Sequence, residues 1–351
     1  MPGRAGIHAG QPVMRRLVPS NTAGSSSHRP GRWRSGTRMA ESVLTAALFG
    51  VTEMEQGSAV PGSAEQRRTE QPEPCNAEQP RETGPIERTD EFGHCVLFNA
   101  RALEPPATPA THPVFFFDLD NTIYPKSSGI DHMMARRIEL FFTERLRLPL
   151  AQARELGARY YRDYGLSIRG LMRDFAISPA EYDAYVDCGL ALEGILRPDP
   201  ALQASLRRLN QQHGPCWVFT NAGKQHALRV LRLLGLDSAQ YLQGVIYCDY
   251  AEPDFPAKPD RAAFERAMRR CGVRADDPND RRRCVFIDDA LGNVRVARDL
   301  GWQVVHVNEA AESLASELGT LSPVAPVDML TVRAVIDVER VLLAGVLRTQ
   351  Q

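Results

Sequence analysis

A chain of 351 residues with 42 Lys and Arg against 43 Asp and Glu carries a net charge of −1. That length can hold two domains, and the charge balance provides neither a basic face for nucleic acid nor a charged face for a membrane surface. No apolar stretch approaches the ~20 residues needed to cross a bilayer. The seven cysteines are scattered, odd in number and without a Cys-x-x-Cys pair, which points to free thiols in a reducing compartment.

Residues 1–111 are rich in Gly, Pro, Ser, Arg, Gln and Glu and poor in apolar clusters. Such a segment buries too little apolar surface to offset its ordering entropy, so a disordered tail is expected. Its first 40 residues hold seven arginines and no acid before Glu41, the composition of an organellar transit peptide. Prolines and glycines interrupt any amphipathic helix there, and a gene-model extension with translation starting at Met39 or Met54 accounts for it equally. The cytoplasm or nucleus is the expected location, with mitochondrion or plastid the alternative. The apolar patch Cys95-Val96-Leu97-Phe98 either docks on the folded domain or is idle.

From Pro113 the chain reads as globular. Val114-Phe115-Phe116-Phe117 is a short apolar run that fits a buried strand. It stops at Asp118 and Asp120, which can both reach a crevice at the carboxyl rim of a parallel sheet. Two carboxylates there repel each other unless a cation or a shared proton intervenes. The pair suits a Mg²⁺ site with a nucleophilic carboxylate beside a general acid. After Tyr124-Pro125 the periodicity is helical throughout 125–196. Met133, Met134, Ile138, Leu140 and Phe141 outline one helix, and others are predicted over Leu150–Tyr161 and Ser167–Phe175. Ser178-Pro179 opens a fourth, with a capping serine and proline at the first position. Arg197-Pro198-Asp199-Pro200 ends this segment.

Strands near 216–220, 244–248, 284–288 and 303–307 then alternate with helices, which argues for right-handed βαβ units and a parallel sheet. The α/β core is assigned to 112–124 plus 197–325. Residues 326–351, with the amphipathic stretch Val332 to Leu347, are expected to form a terminal helix on the sheet. Two more strands end in polar groups. Trp217-Val218-Phe219 delivers Thr220 and Asn221, followed by Gly223 and the helical pattern Ala227, Val230, Leu231, Leu234. Cys284-Val285-Phe286-Ile287 delivers Asp288 and Asp289, with Gly292-Asn293 just beyond. Lys258-Pro259-Asp260 opens a helix between them. Carboxylates for a metal, a hydroxyl and an amide for phosphate oxygens, and a lysine for negative charge together describe phosphoryl transfer.

In that order, Asp118-Leu119-Asp120-Asn121-Thr122, Thr220-Asn221, Lys258 and Asp288-Asp289 resemble the four motifs of the haloacid dehalogenase superfamily. A finer resemblance, to the fungal and plant pyrimidine 5′-nucleotidase branch, lies in Asp118–Gly129, Tyr161–Leu171, Arg197-Pro198-Asp199, Thr220–His226 and Phe286–Val294. It runs from about Pro113 to about Val307. Asn121 departs from the commoner glycine. The resemblance implies a Rossmann-like core with an all-helical cap inserted at 125–196.

The expected roles follow. Asp118 is the nucleophile, forming an aspartyl-phosphate. Asp120 is general acid and then general base, and by resemblance its backbone carbonyl binds Mg²⁺. Thr220 and Asn221 hold a phosphate oxygen; Thr220 is alternatively, or also, a helix cap. Lys258 contacts nucleophile and phosphate. Asp288 is a Mg²⁺ carboxylate. Asp289 is either a further ligand or an acceptor behind the ligands, with Asn293 one turn on and bonding back to it. Among Tyr160, Tyr161, Tyr164 and Arg169, rings stack on a base or simply pack the cap; Tyr164, Ser167 and Arg169 are the expected leaving-group contacts. The predicted activity is Mg²⁺-dependent hydrolysis of a pyrimidine nucleoside 5′-monophosphate. The alternatives are another small or lysolipid phosphate, a phosphomutase, and a non-catalytic regulatory protein. Halide displacement is disfavoured because members with that chemistry lack the second aspartate.

Overall fold

The computed structural model describes residues 85–99, 112–252, 254–311 and 329–343. In chain order the elements are β1 (Ile86–Asp90), β2 (Gly93–Leu97), β3 (Val114–Phe117), α1 (Ile130–Leu140), α2 (Leu150–Tyr164), α3 (Ser167–Phe175), α4 (Pro179–Tyr185), α5 (Pro200–Arg208) and β4 (Cys216–Phe219). They continue as α6 (Lys224–Leu233), β5 (Gly244–Ile246), α7 (Arg261–Arg270), α8 (Pro278–Arg281), β6 (Cys284–Asp288), α9 (Leu291–Asp299), β7 (Gln303–Val307), β8 (Leu330–Val332) and α10 (Val338–Leu343). Among these residues no helix is long and apolar enough to cross a membrane.

The strands form one sheet in the order β1-β2-β5-β4-β3-β6-β7-β8. From β5 to β8 all neighbours are parallel, while β1 pairs with β2, and β2 with β5, antiparallel. β3 lies centrally between β4 and β6, so three motif-bearing strands are adjacent. The connection from β3 leads to one side of it and β6 returns on the other, which opens a crevice at their carboxyl ends.

β3 is apolar at every position because both its faces are covered. Phe115 and Phe117 pack with Val218, Val230 and Ile287, whereas Phe116 packs on the opposite face with Phe264, Phe286 and Trp302. Each such ring contributes about 1.5–3 kcal/mol by leaving water. The helices α1–α4 surround a third cluster, in which Phe141, Phe142, Tyr160 and Tyr182 pack with Tyr250, Phe255 and Ala257 of the β5–α7 loop. Gly170 of α3 is required there, since a Cβ would stand 2.2 Å from Cγ of the Tyr160 ring. The chain leaves this layer through Arg197-Pro198-Asp199-Pro200. Asp199 caps α5 by accepting from the backbone N–H groups of Ala201 and Leu202. Ser178, the expected cap of α4, makes no such bond.

Two expectations are corrected. Residues 86–97 do not belong to a disordered tail: they form a hairpin on the edge of the sheet, and Cys95, Val96 and Leu97 are buried in the two main clusters. The rest of that tail, and the proposed targeting segment, lie outside the described residues. The C-terminal region is also not one helix. Leu330-Thr331-Val332 adds a parallel strand beside β7, and only Val338–Leu343 is α-helical among the described residues. Leu330 and the β-branched Thr331 and Val332 pair with the edge of β7, which an isolated amphipathic pattern does not reveal.

Candidate active site

Asp118 follows directly on β3 and its backbone N–H donates to Ile287 O at 2.8 Å, so the end of β6 fixes where the nucleophile candidate sits. Lys258 is the hub. Its Nζ donates to Asp118 Oδ1 at 2.6 Å, Asp288 Oδ2 at 2.8 Å and Phe219 O at 2.8 Å. It also lies over the Phe219 and Phe286 rings, 5.2 and 5.3 Å from their centroids. Burial disfavours the ammonium, but Asp118 and Asp288 outweigh it and hold Lys258 firmly protonated. Burial and the nearby carboxylates of Asp288, Asp289 and Asp120 push the Asp118 carboxyl up against the pull of that lysine.

Asp288 is fully buried. It accepts from Ala290 N–H at 2.8 Å and from Asn293 Nδ2, 3.2 and 3.1 Å from its two oxygens. Asn293 therefore supports Asp288, not Asp289 as its spacing suggested. Asp289 is tied down through its backbone, its N–H donating to Thr122 Oγ1 and its carbonyl facing His306 Nε2. Burial, then the charge of Asp288, raises its carboxyl to about 7. Oxygens of Asp118, Asp288 and Asp289 lie within 4.8 Å of one another. Three hard oxygen donors with one lysine among them leave surplus negative charge, and that donor set fits a divalent cation such as Mg²⁺. The side chain of Asp120 lies outside this cluster.

Thr220 directly follows β4, buried, with its Oγ1 accepting from Ala222 N–H at 3.0 Å. It is not a helix cap, because the N-cap of α6 is Gly223. Asn221 has a task its motif did not suggest. Its Nδ2 donates to Lys258 O at 2.7 Å and its Oδ1 accepts from Lys258 N–H at 2.8 Å, so the amide clamps the backbone of the lysine to the end of β4. Asn121 sits at φ +60°. That left-handed region favours glycine and, after it, asparagine, which explains the departure noted from the motif. Asn121→Gly should therefore be nearly neutral, while Asn121→Val should cost about 1–2 kcal/mol in urea unfolding.

The cap residues divide. Ser167 is buried. Arg169 donates to Asp260 Oδ2 at 2.6 Å and to the Phe255 and Tyr164 carbonyls, with its guanidinium 5.1 Å from the Phe255 ring centroid. It fastens the α2–α3 turn to the lysine loop. The Tyr164 hydroxyl accepts from Arg173. Tyr161 is 44% exposed. Partial burial, then Asp289, Asp288 and Asp118, raise its hydroxyl pKa.

Two site residues escaped the sequence reading. Asp120 Oδ1 accepts from Tyr124 OH at 2.6 Å and faces His226 Nε2 at 2.7 Å. Burial would raise the Asp120 carboxyl, but His226 and Tyr124 outweigh it and hold it below the usual range. Burial would lower His226, and Asp120 and Asp187 instead carry it to about 9. One signal was present: His226 lies four residues before Val230, on the apolar face of α6, where a polar ring needs a partner.

The family model for haloacid dehalogenase-like hydrolases matches residues 112–301, more than half the chain. The chain belongs to that family. Among curated relatives, phosphate metabolism protein 8 of Saccharomyces cerevisiae is 35% identical over 219 residues. The match spans 59% of this chain and 66% of the yeast protein, just under two thirds of its length. Solved structures similar to this haloacid dehalogenase-like hydrolase include an HAD phosphatase from Thermococcus onnurineus, at 20% identity, 66% and 97% coverage of the two chains, and TM-score 0.40. A hydrolase from Pseudomonas syringae matches at 17% identity, 66% and 98% coverage, and TM-score 0.43.

Proposed function

We propose that this protein is a Mg²⁺-dependent phosphomonoesterase working through an aspartyl-phosphate on Asp118, with pyrimidine nucleoside 5′-monophosphates as substrates. The observation that carries the reading is Lys258 Nζ bridging Asp118 and Asp288, beside Asp289, at the carboxyl ends of β3 and β6. A nucleophilic carboxylate, a fixed cation and a cluster of metal-binding oxygens are the parts phosphoryl transfer needs. Asp118, Asp288 and Asp289 would hold Mg²⁺, with the Asp120 carbonyl added by family resemblance. The ion would screen the substrate's negative charge from the carboxylates.

Lys258 is already charged and aimed at Asp118, so it stabilises the transferring phosphoryl group without reorganising. Asp120 starts as a carboxylate, the form that activates water in the second half-reaction. A phosphate dianion bound beside it favours its protonation, the form that assists the leaving group in the first. The substrate class rests on the sequence resemblance of Tyr161–Leu171, Arg197-Pro198-Asp199 and Thr220–His226 to pyrimidine nucleotidases. Hydrolysis of a different small phosphate ester is the second reading. It is favoured by the commitment of Arg169, an expected base contact, to Asp260 and Phe255.

Phosphate release from UMP, CMP, AMP, GMP, sugar phosphates and lysophosphatidate, with Mg²⁺ and with EDTA, tests both readings. The expected result is metal-dependent turnover, fastest on UMP and CMP. Faster release from purine nucleotides or from lysophosphatidate would transfer the assignment to the second reading. Turnover unaffected by EDTA would remove the metal from it.

A further inference from the structure

Asp120 is held by two donors that converge on one of its oxygens. Tyr124 OH and His226 Nε2 both reach Oδ1, at 2.6 and 2.7 Å, and no donor is recorded on Oδ2 among the described residues. The donors arrive from different parts of the chain: Tyr124 from four residues on, His226 from α6, 106 residues away. Both side chains are buried, each 2% exposed. Packing does not explain the histidine. Among the described residues its buried Nδ1 has no hydrogen-bond partner, and a leucine would fill the space without that desolvation cost. Among the described residues the one hydrogen bond of the ring is that to Asp120.

We propose that His226 and Tyr124 are positioning residues for Asp120: they saturate Oδ1 and leave Oδ2 as the oxygen that exchanges protons with the leaving group and with water. This rests on the phosphatase reading above and deepens it. In the first half-reaction an Asp118 oxygen bonds to phosphorus as the bond to the leaving oxygen breaks, and the proton on Asp120 Oδ2 passes to that oxygen. In the second, water oxygen bonds to phosphorus and gives its proton to Asp120 Oδ2. The Asp118–phosphorus bond then breaks, which frees inorganic phosphate and restores both carboxyl groups. A carboxylate free to rotate would present Oδ2 only part of the time.

The test is the dependence of kcat/KM on leaving group, over 4-nitrophenyl, phenyl and glyceryl phosphates with Mg²⁺. 4-Nitrophenolate departs without a proton and the others need one. Tyr124→Phe and His226→Leu should each lower kcat/KM on phenyl and glyceryl phosphates by about 10–100-fold, a large part of what general acid catalysis supplies. On 4-nitrophenyl phosphate the loss should stay under about threefold. His226→Gln, whose amide places a donor near the position of Nε2, should recover most of the difference. Equal losses on all three esters, or none, overturn the positioning role. So does failure of His226→Gln to improve on His226→Leu while Tyr124→Phe behaves like the wild type. Wild-type inactivity on every ester would instead bring down the phosphatase reading, and this inference with it.

Discussion

Asp118→Asn should release no measurable phosphate from any ester, a loss on the order of 10⁴-fold or more, as expected for removal of a covalent nucleophile. The fold should survive. The amide has the same shape, and Lys258 keeps Asp288 Oδ2 and Phe219 O as partners. The substitution also removes one of three crowded carboxylates in a site where burial, and then the neighbouring acids, push the Asp118 and Asp289 carboxyls up. The melting temperature should accordingly stay level or rise slightly. Retained turnover at near wild-type rate in a folded Asp118→Asn protein would remove the aspartyl-phosphate from the mechanism. A collapsed fold would show instead that the Asp118–Lys258 pair is primarily structural.

The second large effect is on stability. A chain starting at Pro106 should fail to fold or should melt far below the full-length protein, whereas one starting at Gly84 should match it. Removing β1 and β2 strips Cys95, Val96 and Leu97, all at most 3% exposed, from the clusters they fill. At about 1.5–3 kcal/mol for each large apolar side chain, Val96 and Leu97 alone supply several kcal/mol. The loss extends to Arg270. Its guanidinium, 2% exposed, bonds the Asp90 carboxylate and donates to Gly93 O at 2.9 Å. Without the hairpin Arg270 loses these bonds and the Phe92 ring beside it, 5.7 Å from the guanidinium. The apolar loss alone is large against the whole stability of an ordinary domain, about 5–15 kcal/mol. Equal melting temperatures for the chains starting at Gly84 and Pro106 would show that the hairpin adds nothing to the folded unit.

The hairpin also shows where reading the sequence stops. β3 was legible because four consecutive apolar residues can be buried on two faces only inside a sheet, and because acids follow at once. β1 reads Ile-Glu-Arg-Thr-Asp and exposes four of its five side chains, so its membership is decided by its pairing with β2, which in turn takes the edge of β5, and local composition does not encode that. The same limit holds in the site. Residue types at the strand ends announced the chemistry, but not the partner each would choose. Asp118 and Lys258 are 140 positions apart in the chain and 2.6 Å apart in space, a pairing the motif order suggested. No periodicity indicates that Asn221 would grip the lysine backbone, that Asn293 would choose Asp288, or that Arg169 would be taken by Asp260. Such choices depend on loop paths between elements, and so they appear only in the folded chain.

The way the sheet ends bears on solubility. Among the described residues its outermost strands are β8 and β1, and a bare margin is a template for another molecule's strand. One margin is β8, three residues long, too short to seat a stable partner. The other is β1, whose Glu87, Arg88 and Asp90 are exposed, charged side chains of the kind that blunt a sheet edge. Next to it lies β2, Gly93–Leu97, with all but His94 buried, and inside that the fully buried β5, Gly244-Val245-Ile246. The polar strand that seemed to belong to a tail is thus a guard against aggregation, keeping an apolar strand from becoming the rim at which molecules of this hydrolase would stick together.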